Sequence, residues 1–186
     1  MPWLQQNNHD LKLLVNICSI LSDIMAKTWK DKDISLAPLK DQTIAVLGYG
    51  IQGDAQANNM KDSGLTVIVG LKKDGNSWKK AESDGHKVMS VSDACKKADI
   101  IHVLLPDMIQ SQVYKDEIGP NLSKGKALSF SHAAAIHWKW IVAPNDVDII
   151  MIAPKGPGSK VRETYLENFG TPSNVAVHQD FTGKAW

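Results

Sequence analysis

Short apolar runs rich in β-branched residues alternate along the chain with longer stretches of mixed polar and apolar residues. Such runs are typical of strands buried on both faces, and the mixed stretches are typical of surface helices. The runs predict strands at 43–47, 66–69, 87–89, 100–105, 127–130, 148–152 and 174–177. The mixed stretches predict helices at 55–63, 78–84, 92–97, 110–118 and 160–169. This alternation predicts an α/β fold with a doubly wound, mostly parallel sheet and helices on both of its faces.

A glycine-rich turn follows the first predicted strand directly and leads into the first predicted helix. In dinucleotide-binding turns the first glycine permits a tight turn, the second lets the backbone approach a pyrophosphate, and the third lets helix and strand pack closely. The strand–turn–helix–strand context therefore indicates a Rossmann-like fold that binds a nicotinamide dinucleotide. The predicted cofactor contacts are Gly48, Tyr49, Gly50, Ile51, Gln52 and Gly53. The alternative is a glycine-rich turn without a ligand.

The end of the second predicted strand indicates which dinucleotide is bound. NAD sites usually place Asp or Glu there to accept from the ribose 2′-hydroxyl. This chain has Lys72 and Lys73, followed by Ser77, which suit a 2′-phosphate as charge-assisted hydrogen-bond donors. The sequence therefore predicts NADPH. A solvated lysine pair is the alternative, and Asp74 could instead turn toward a ribose hydroxyl.

Charge and apolar patterning exclude several partners. A formal net charge of +1 over 186 residues gives no indication of binding to nucleic acid or to an anionic membrane. The apolar stretch at 11–21 is shorter than the about 20 residues that a membrane span needs. It has neither a clear basic start nor a small-residue cleavage site, so a signal peptide is not expected. The cysteines Cys18 and Cys95 match no metal-binding spacing, so they indicate reduced thiols in a cytoplasmic protein.

Residues 1–24 differ from the rest and are predicted to be an extension outside a dinucleotide-binding domain at 25–186. Three interpretations remain open for this extension: a short amphipathic helix docked on the domain or a partner, a disordered tail, or translated sequence upstream of the natural start. The last is favoured because Met25, Ala26 and Lys27 are typical of the beginning of a protein.

Several longer motifs carry a resemblance to one enzyme family. They are GYGIQG at 48–53, VGLKKDGNSWKKAE at 69–82, LLPDMIQSQVY at 104–114, SHAAAIHW at 131–138, MIAPKGPGSKVRETY at 151–165, FGTPSNVAV at 169–177 and QDFTGKA at 179–185. In these motifs the chain resembles ketol-acid reductoisomerase, the acetohydroxy acid isomeroreductase of isoleucine and valine biosynthesis. The resemblance covers nearly all of residues 25–186 and corresponds to the N-terminal, NADPH-binding domain of that family.

The resemblance implies an oxidoreductase that moves an alkyl group within 2-acetolactate or 2-aceto-2-hydroxybutyrate and then reduces the resulting 2-ketoacid with NADPH. In the family, two Mg²⁺ ions polarise the substrate oxygens. His132 and Lys155 match residues that line the active site near the nicotinamide, and they are the predicted catalytic residues. Further predicted cofactor contacts lie within the matching motifs: Leu105, Pro106, Asp107 and Gly158.

From the residues alone, the same positions have plainer interpretations. His132 is then better explained as a capping or core histidine, Lys155 could be a solvated loop lysine, and Asp107 could cap a helix. His102 lies inside an apolar run and is expected to be a core or sheet-end residue. Both predicted catalytic residues nevertheless follow strands, at the end where doubly wound folds bind their ligands.

The chain departs from the family pattern in three places. Its 186 residues contain no counterpart of the helical domain whose acidic residues bind both Mg²⁺ ions, so no metal ligand is assigned here. The alanines at 133–135 replace Gly-Phe-Asn beside His132. Ile51 and Asp54 stand where the family usually has Ser and His, and Asp54 would favour the helix dipole but repel a pyrophosphate.

Three hypotheses about function follow. The first is the cofactor domain of a ketol-acid reductoisomerase-like protein, either part of a larger enzyme or a short relative completed by another chain that supplies the Mg²⁺ site. Alone, it would bind NADPH with little turnover of a 2-acetolactate-like substrate. The second is a non-catalytic dinucleotide-binding or interaction module, and the third is a different NADP-dependent reductase. A domain without its helical partner should expose an apolar face, so a homodimer is also expected.

Overall fold

A computed structural model describes residues 27–186, and the predicted extension at 1–24 lies outside them. Residues 37–186 form one compact unit, whereas 27–36 belong to another. Within 27–36 a 3₁₀ turn spans Asp31–Asp33, and the backbone N–H of Asp33 donates to the Lys30 carbonyl at 2.7 Å. The predicted site residues all lie in the unit at 37–186.

Residues 37–186 form a single seven-stranded sheet. Its strands are β1 (Thr43–Leu47), β2 (Thr66–Gly70), β3 (Lys87–Met89), β4 (Ile100–Val103), β5 (Ala127–Phe130), β6 (Asp148–Pro154) and β7 (Ser173–Gln179). Their order across the sheet is β3-β2-β1-β4-β5-β6-β7. The first six strands pair in parallel, and β7 joins the edge antiparallel to β6. The parallel strands have the order of the Rossmann fold, so the predicted α/β class is confirmed.

Helices cover both faces of this sheet. They are α1 (Ile51–Asp62), α2 (Asn76–Ser83), α3 (Val91–Lys97), α4 (Asp107–Val113), α5 (Ala134–His137) and α6 (Gly158–Leu166). A π-helical turn at Tyr114–Ile118 continues α4, a 3₁₀ turn at Gly119–Asn121 follows, and another at Ala37–Leu39 precedes β1. Successive residues of β1 alternate between the faces: Val46 packs in one apolar cluster with Ala57 of α1, and Leu47 in the other with Ala94 of α3.

The predicted boundaries hold best for the strands. The strands predicted at 43–47, 87–89 and 127–130 match the structure to the residue. The predicted helix at 55–63 starts earlier, at Ile51, because the glycine turn passes straight into the helix. The helix predicted at 92–97 starts one residue earlier, at Val91, because the hydroxyl of Ser90 caps it by accepting from the backbone N–H of Asp93 at 3.1 Å.

The sheet topology creates a crevice at the carboxyl ends of β1 and β4. These neighbouring strands lead to connections that leave in opposite directions, toward β2 and toward β5, which is where Rossmann folds bind dinucleotides. The loops after β1, β4, β5 and β6 all begin at this edge because those strands are parallel. Within residues 27–186, no helix has both the length and the apolar character needed to cross a membrane.

Candidate functional site

The glycine turn at the end of β1 is closed at two positions and open at one. Gly48 has a φ of +96°, and a Cβ there would lie 2.7 Å from the carbonyl oxygen of Leu104, just after β4. A Cβ on Gly53 would overlap the Gly48 carbonyl oxygen, so α1 packs directly on the turn. Gly50 is exposed, and apart from its chain neighbours no described atom lies within 4 Å of its Cβ position. Only Gly50 leaves space for a ligand to approach the backbone.

The start of α1 adds hydrogen-bond donors beside that open position. Gly50 is the N-cap residue, and α1 runs for 12 residues from Ile51. The first N–H groups of a helix have no carbonyl partner within the helix, and they carry the positive end of its dipole. These donors and the space at Gly50 fit the pyrophosphate of a dinucleotide. The Ile51 side chain is 72% exposed and leaves this approach unprotected by protein.

Gln52 and Gly158 join the turn to the loop after β6. The Gln52 side-chain amide donates from Nε2 to the carbonyl oxygen of Gly156 at 2.9 Å. Gly158, the first residue of α6, is buried, and a Cβ on it would overlap the carbonyl oxygen of Ile51. Because it has no side chain, Gly158 lets α6 start directly against the glycine turn.

Tyr49 turns its phenol into the protein. Its ring belongs to the apolar cluster with Leu71 and half-buried Trp78. Its hydroxyl donates to Asp84 Oδ2 at 2.8 Å and accepts from Asn58 Nδ2 at 3.0 Å. Burial, and then the hydrogen bond to Asp84, raise the pKa of Tyr49 above its usual range. Tyr49 can therefore contact a cofactor through its backbone, but its phenol is already engaged.

Asp54 is paired within the structure. Its Oδ2 lies 2.7 Å from Nζ of Lys80 in α2, and its Oδ1 accepts from Asn58 Nδ2 at 2.8 Å. Lys80 also lies 3.0 Å from Asp84 Oδ2. The hydrogen bond to Asp54 is the main cause that raises the pKa of Lys80, and the bonds from Tyr49 and Lys80 lower the pKa of Asp84. The carboxylate that conflicts with a pyrophosphate thus has its own counter-charge.

The predicted 2′-phosphate residues lie just beyond β2. Lys72 and Lys73 are exposed, and within residues 27–186 neither takes part in an ion pair. Asp74 follows in a left-handed backbone conformation, with a φ of 64°, and Ser77 lies in the first turn of α2. Two cations and a hydroxyl therefore come together at this strand end, although no described hydrogen bond joins them to the glycine turn.

A hydrogen-bonded loop after β4 meets His132. The buried side chain of Gln110 donates from Nε2 to the Leu105 carbonyl at 2.8 Å and to Asp107 Oδ1 at 3.1 Å. Asp107 Oδ2 lies 3.5 Å from Nδ1 of His132, which follows β5 and has a 68% exposed side chain. The suggestion from the sequence that Asp107 caps a helix is wrong. Pro106 has the N-cap position of α4, and Asp107 is the first helical residue.

Lys155 lies in the loop after β6, held by backbone contacts. Its N–H donates to the Pro172 carbonyl at 2.8 Å, and the next residue, Gly156, accepts from Gln52. The Lys155 side chain is exposed and takes part in none of the ion pairs within 27–186. The structure thus fixes the loop and leaves the ammonium group facing solvent.

Sequence reasoning missed a polar connection between the turn and the loop of His132. Gln56 Nε2 donates to Gln52 Oε1 at 3.0 Å and to the hydroxyl of Ser131 at 3.2 Å. Its Oε1 accepts from Nε2 of His102 at 2.8 Å, so Nδ1 of His102 accepts from the Ser129 hydroxyl, also at 2.8 Å. The available signal was a pair of polar residues, His102 and Ser129, inside otherwise apolar strands.

His102 is a core residue, as expected. It is 5% exposed, and burial lowers its pKa to about 4, so the imidazole is neutral at physiological pH. The described residues do not form a magnesium site: within 27–186, no group of three or more His, Cys, Asp or Glu side chains is placed to hold a metal ion.

The Rossmann order, the crevice beside β4 and the open glycine of the turn define a dinucleotide-binding domain. Residues 38–186 match the family model for the NADPH-binding domain of acetohydroxy acid isomeroreductase. The chain therefore belongs to the acetohydroxy acid isomeroreductase family, also called the ketol-acid reductoisomerases, and these residues form its NADPH-binding domain.

Relatives that the chain matches are named ketol-acid reductoisomerases. The chain is 85% identical to the ketol-acid reductoisomerase (NADP(+)) of Nitrosopumilus maritimus and 78% identical to that of Cenarchaeum symbiosum, each over 162 residues. Each match covers 87% of this chain and 49% of the relative. The solved structure of an NADH-preferring ketol-acid reductoisomerase from an uncultured archean has a TM-score of 0.84 and 48% identity, covering 86% of this chain and 50% of that one. The chain thus spans about half the length of the relatives it matches.

Proposed function

We propose that this chain binds NADPH at the crevice between β1 and β4 and provides the reductive half of a ketol-acid reductoisomerase. The observation that carries the proposal is the open position at Gly50, which lies between the closed glycines Gly48 and Gly53 at the start of α1. This arrangement fits a pyrophosphate, and it occurs in a domain that its family uses for NADPH.

Two groups of residues would hold the cofactor. The N–H groups at the start of α1 would hold the pyrophosphate, and Lys72, Lys73 and Ser77 would hold the 2′-phosphate through charge-assisted hydrogen bonds. Leu105, Pro106 and Asp107 would border the cofactor at the end of β4, on a loop that Gln110 keeps in place. When bound, NADPH supplies a hydride to an electrophilic carbon of the substrate.

His132 and Lys155 would act on the substrate at the same edge of the sheet. The exposed ammonium of Lys155 would stabilise negative charge on the carbonyl oxygen as the ketoacid is reduced. The resulting alkoxide needs one proton, which His132 would deliver while Asp107, 3.5 Å from its Nδ1, orients the ring. Two Mg²⁺ ions would bind only once acidic ligands are supplied by the family's helical domain. A 2-acetolactate-like substrate and the product of its rearrangement would then contact His132 and Lys155.

Fluorescence titration of the nicotinamide tests this proposal. We expect saturable binding of NADPH, tighter than that of NADH, to the 186-residue polypeptide. We also expect no NADPH oxidation with Mg²⁺ and 2-acetolactate until a chain carrying the family's helical domain is added. Failure to bind either dinucleotide would contradict the proposed site, and Mg²⁺-dependent turnover by the polypeptide alone would contradict this division of the reaction.

A non-catalytic dinucleotide-binding module is the second candidate. It is favoured by the alanines at 133–135 directly after His132: Ala133 is the N-cap residue of α5, Ala134 begins the helix, and Ala135 is buried. The two candidates differ in the completed assembly. Activity that a helical-domain chain restores, and that His132→Ala then abolishes, supports the enzyme; NADPH binding without restored activity supports the module.

We further propose that the chain self-associates as a homodimer. Large apolar side chains are exposed in and beside the β5–β7 part of the sheet, and patches of this kind mark interaction surfaces. They are Trp138, Trp140, Val142, Phe169 and Val175. Light scattering should therefore give a dimeric mass, whereas a monomer at high concentration would contradict the proposal.

We also propose a cytoplasmic location. Cys95 is buried and unpaired within the described residues, and burial raises its thiol pKa to about 12, which suits a protein that keeps its cysteines reduced. Cell fractionation should recover the chain with cytoplasmic proteins, and recovery in an oxidising compartment would contradict this assignment.

A further inference from the structure

The proposed cofactor site contains an electrostatic conflict at Asp54. This residue lies in the first turn of α1, where its backbone N–H donates to the Gly50 carbonyl at 2.9 Å. Four residues of helix place it only about 6 Å along the axis from Gly50. An unpaired carboxylate at that distance is within the Debye length of about 8 Å at physiological salt, so it would oppose two negatively charged phosphates.

Lys80 lies where it can remove this conflict. Its ammonium is 2.7 Å from Asp54 Oδ2, 3.0 Å from Asp84 Oδ2 and 5.2 Å from the ring centroid of Tyr49. The second oxygen of Asp54 accepts from Asn58, so both carboxylate oxygens are engaged. Lys80 thus joins α2 to the helix that starts the cofactor site.

The surrounding contacts hold this ion pair in one place. The Tyr49 hydroxyl donates to Asp84, which is the residue just after α2. On the other side, Lys61 donates to the Asp84 carbonyl at 2.7 Å. His86 Nε2 lies 3.1 Å from Asn58 Oδ1, and burial lowers the His86 pKa, which favours the neutral ring. Tyr49 belongs to the glycine turn itself, so the position of the turn depends on the same cluster.

We propose that Lys80 is a positioning residue for cofactor binding, which acts by neutralising the Asp54 carboxylate beside the glycine turn. This inference rests on the proposed binding of NADPH at the turn. Because the pyrophosphate is common to NADPH and NADH, Lys80 acts on the affinity for both. Lys72 and Lys73, as 2′-phosphate partners, act on NADPH alone.

A charge-compensation experiment tests the assignment. The dissociation constants of NADPH and NADH are measured for the parent chain, Lys80→Met, Asp54→Asn, the double variant and Lys80→Arg. Lys80→Met should lower the affinity for both dinucleotides about threefold to tenfold at about 50 mM salt, and by less at about 500 mM. The double variant should return to within about twofold of the parent, because the carboxylate charge is gone as well. Lys80→Arg should keep most of the affinity.

Each other result has a distinct meaning. If Lys80→Met binds both dinucleotides like the parent, or if only NADPH is weakened, the assignment is overturned, and the second result makes Lys80 a direct 2′-phosphate ligand. If the double variant stays weak, the loss is structural rather than electrostatic, and the assignment is overturned as well. Thermal melts identify any variant that fails to fold, and Asp54→Asn and Lys80→Arg then carry the test. A parent chain that binds neither dinucleotide overturns the proposed function itself.

Discussion

The polar residues around the glycine turn and those beside β5–β7 differ in how many partners they have within the protein. Around the glycine turn, the side chains of Tyr49, Asp54 and Lys80 all have hydrogen-bond or ion-pair partners before any ligand arrives. On the β5–β7 side, His132 and Lys155 present largely exposed side chains. The residues around the glycine turn are therefore organised by their own contacts, whereas the proposed catalytic residues His132 and Lys155 face solvent more freely. Binding and turnover should accordingly respond to mutation and conditions in different ways.

Gly53→Ala should break the organised side with the largest effect. Replacing Gly by Ala inside a helix usually stabilises it by about 1 kcal/mol. Here the new Cβ would overlap the Gly48 carbonyl oxygen, so we expect destabilisation on the order of 3 kcal/mol, with loss of NADPH binding. Denaturant unfolding and NADPH titration measure the two effects.

Gly50→Ala is the matched control in the same turn. Its Cβ would enter open space, so the free energy of unfolding should change by less than about 1 kcal/mol. NADPH affinity should nevertheless fall about tenfold or more, because the methyl group takes the place of the approaching pyrophosphate. Equal stability losses in Gly50→Ala and Gly53→Ala would show that the turn is uniformly packed and that the open position does not exist.

The sequence predicted the turn because each glycine acts through its own backbone, and it predicted the strands because apolar runs of this length are buried on both faces. It could not predict contacts between distant segments. Asp54 and Lys80 lie 26 positions apart, and Gln56 and Ser131 lie 75 apart. A linear pattern gives residue types but no distances. From the sequence, Asp54 could only be interpreted as unfavourable for a pyrophosphate, because the ammonium group of Lys80 beside it was not predictable.

His102 connects the two sides, and its titration should sharpen the comparison under acid. Its pKa is about 4 in the folded chain, against about 6.5 in an unfolded one. Between these values the unfolded chain binds a proton that the folded chain does not, so stability falls as the pH drops from about 6.5 to about 4. The loss should approach about 3 kcal/mol. Denaturant unfolding measured across this pH range gives the slope.

His102→Gln is the control for this pH dependence. It removes the titrating ring while keeping a polar side chain near Gln56 and Ser129. The variant should have a flatter pH profile, and the part that remains should include His86, whose pKa burial also lowers. An unchanged acid dependence in this variant would locate the titration elsewhere.

The lysines after β2 should change the choice of cofactor rather than the fold. In the double variant Lys72→Ala and Lys73→Ala, NADPH should bind about tenfold to 100-fold more weakly, because charge-assisted contacts to the 2′-phosphate are lost. NADH affinity should stay within about twofold. A solved relative with 48% identity is an NADH-preferring enzyme. The informative quantity is therefore the ratio of the NADPH and NADH dissociation constants. Equal losses for both dinucleotides would assign the lysines to the pyrophosphate instead.

The smallest effect on stability is expected on the open side of the sheet. Trp138 and Trp140 are 65% and 45% exposed, so replacing both by Ser should change the free energy of unfolding by about 0.5 kcal/mol or less and leave NADPH affinity unaltered. The mass measured by light scattering should fall from dimer to monomer.

Trp78→Ser is the matched control, since Trp78 packs in the Tyr49 cluster and donates to Glu82 at 2.8 Å. This substitution should lower the free energy of unfolding by about 3 kcal/mol. If the exposed pair proves as costly as Trp78, the β5–β7 side is as organised as the cofactor side. If the double variant remains a dimer, self-association uses a surface other than the exposed tryptophans.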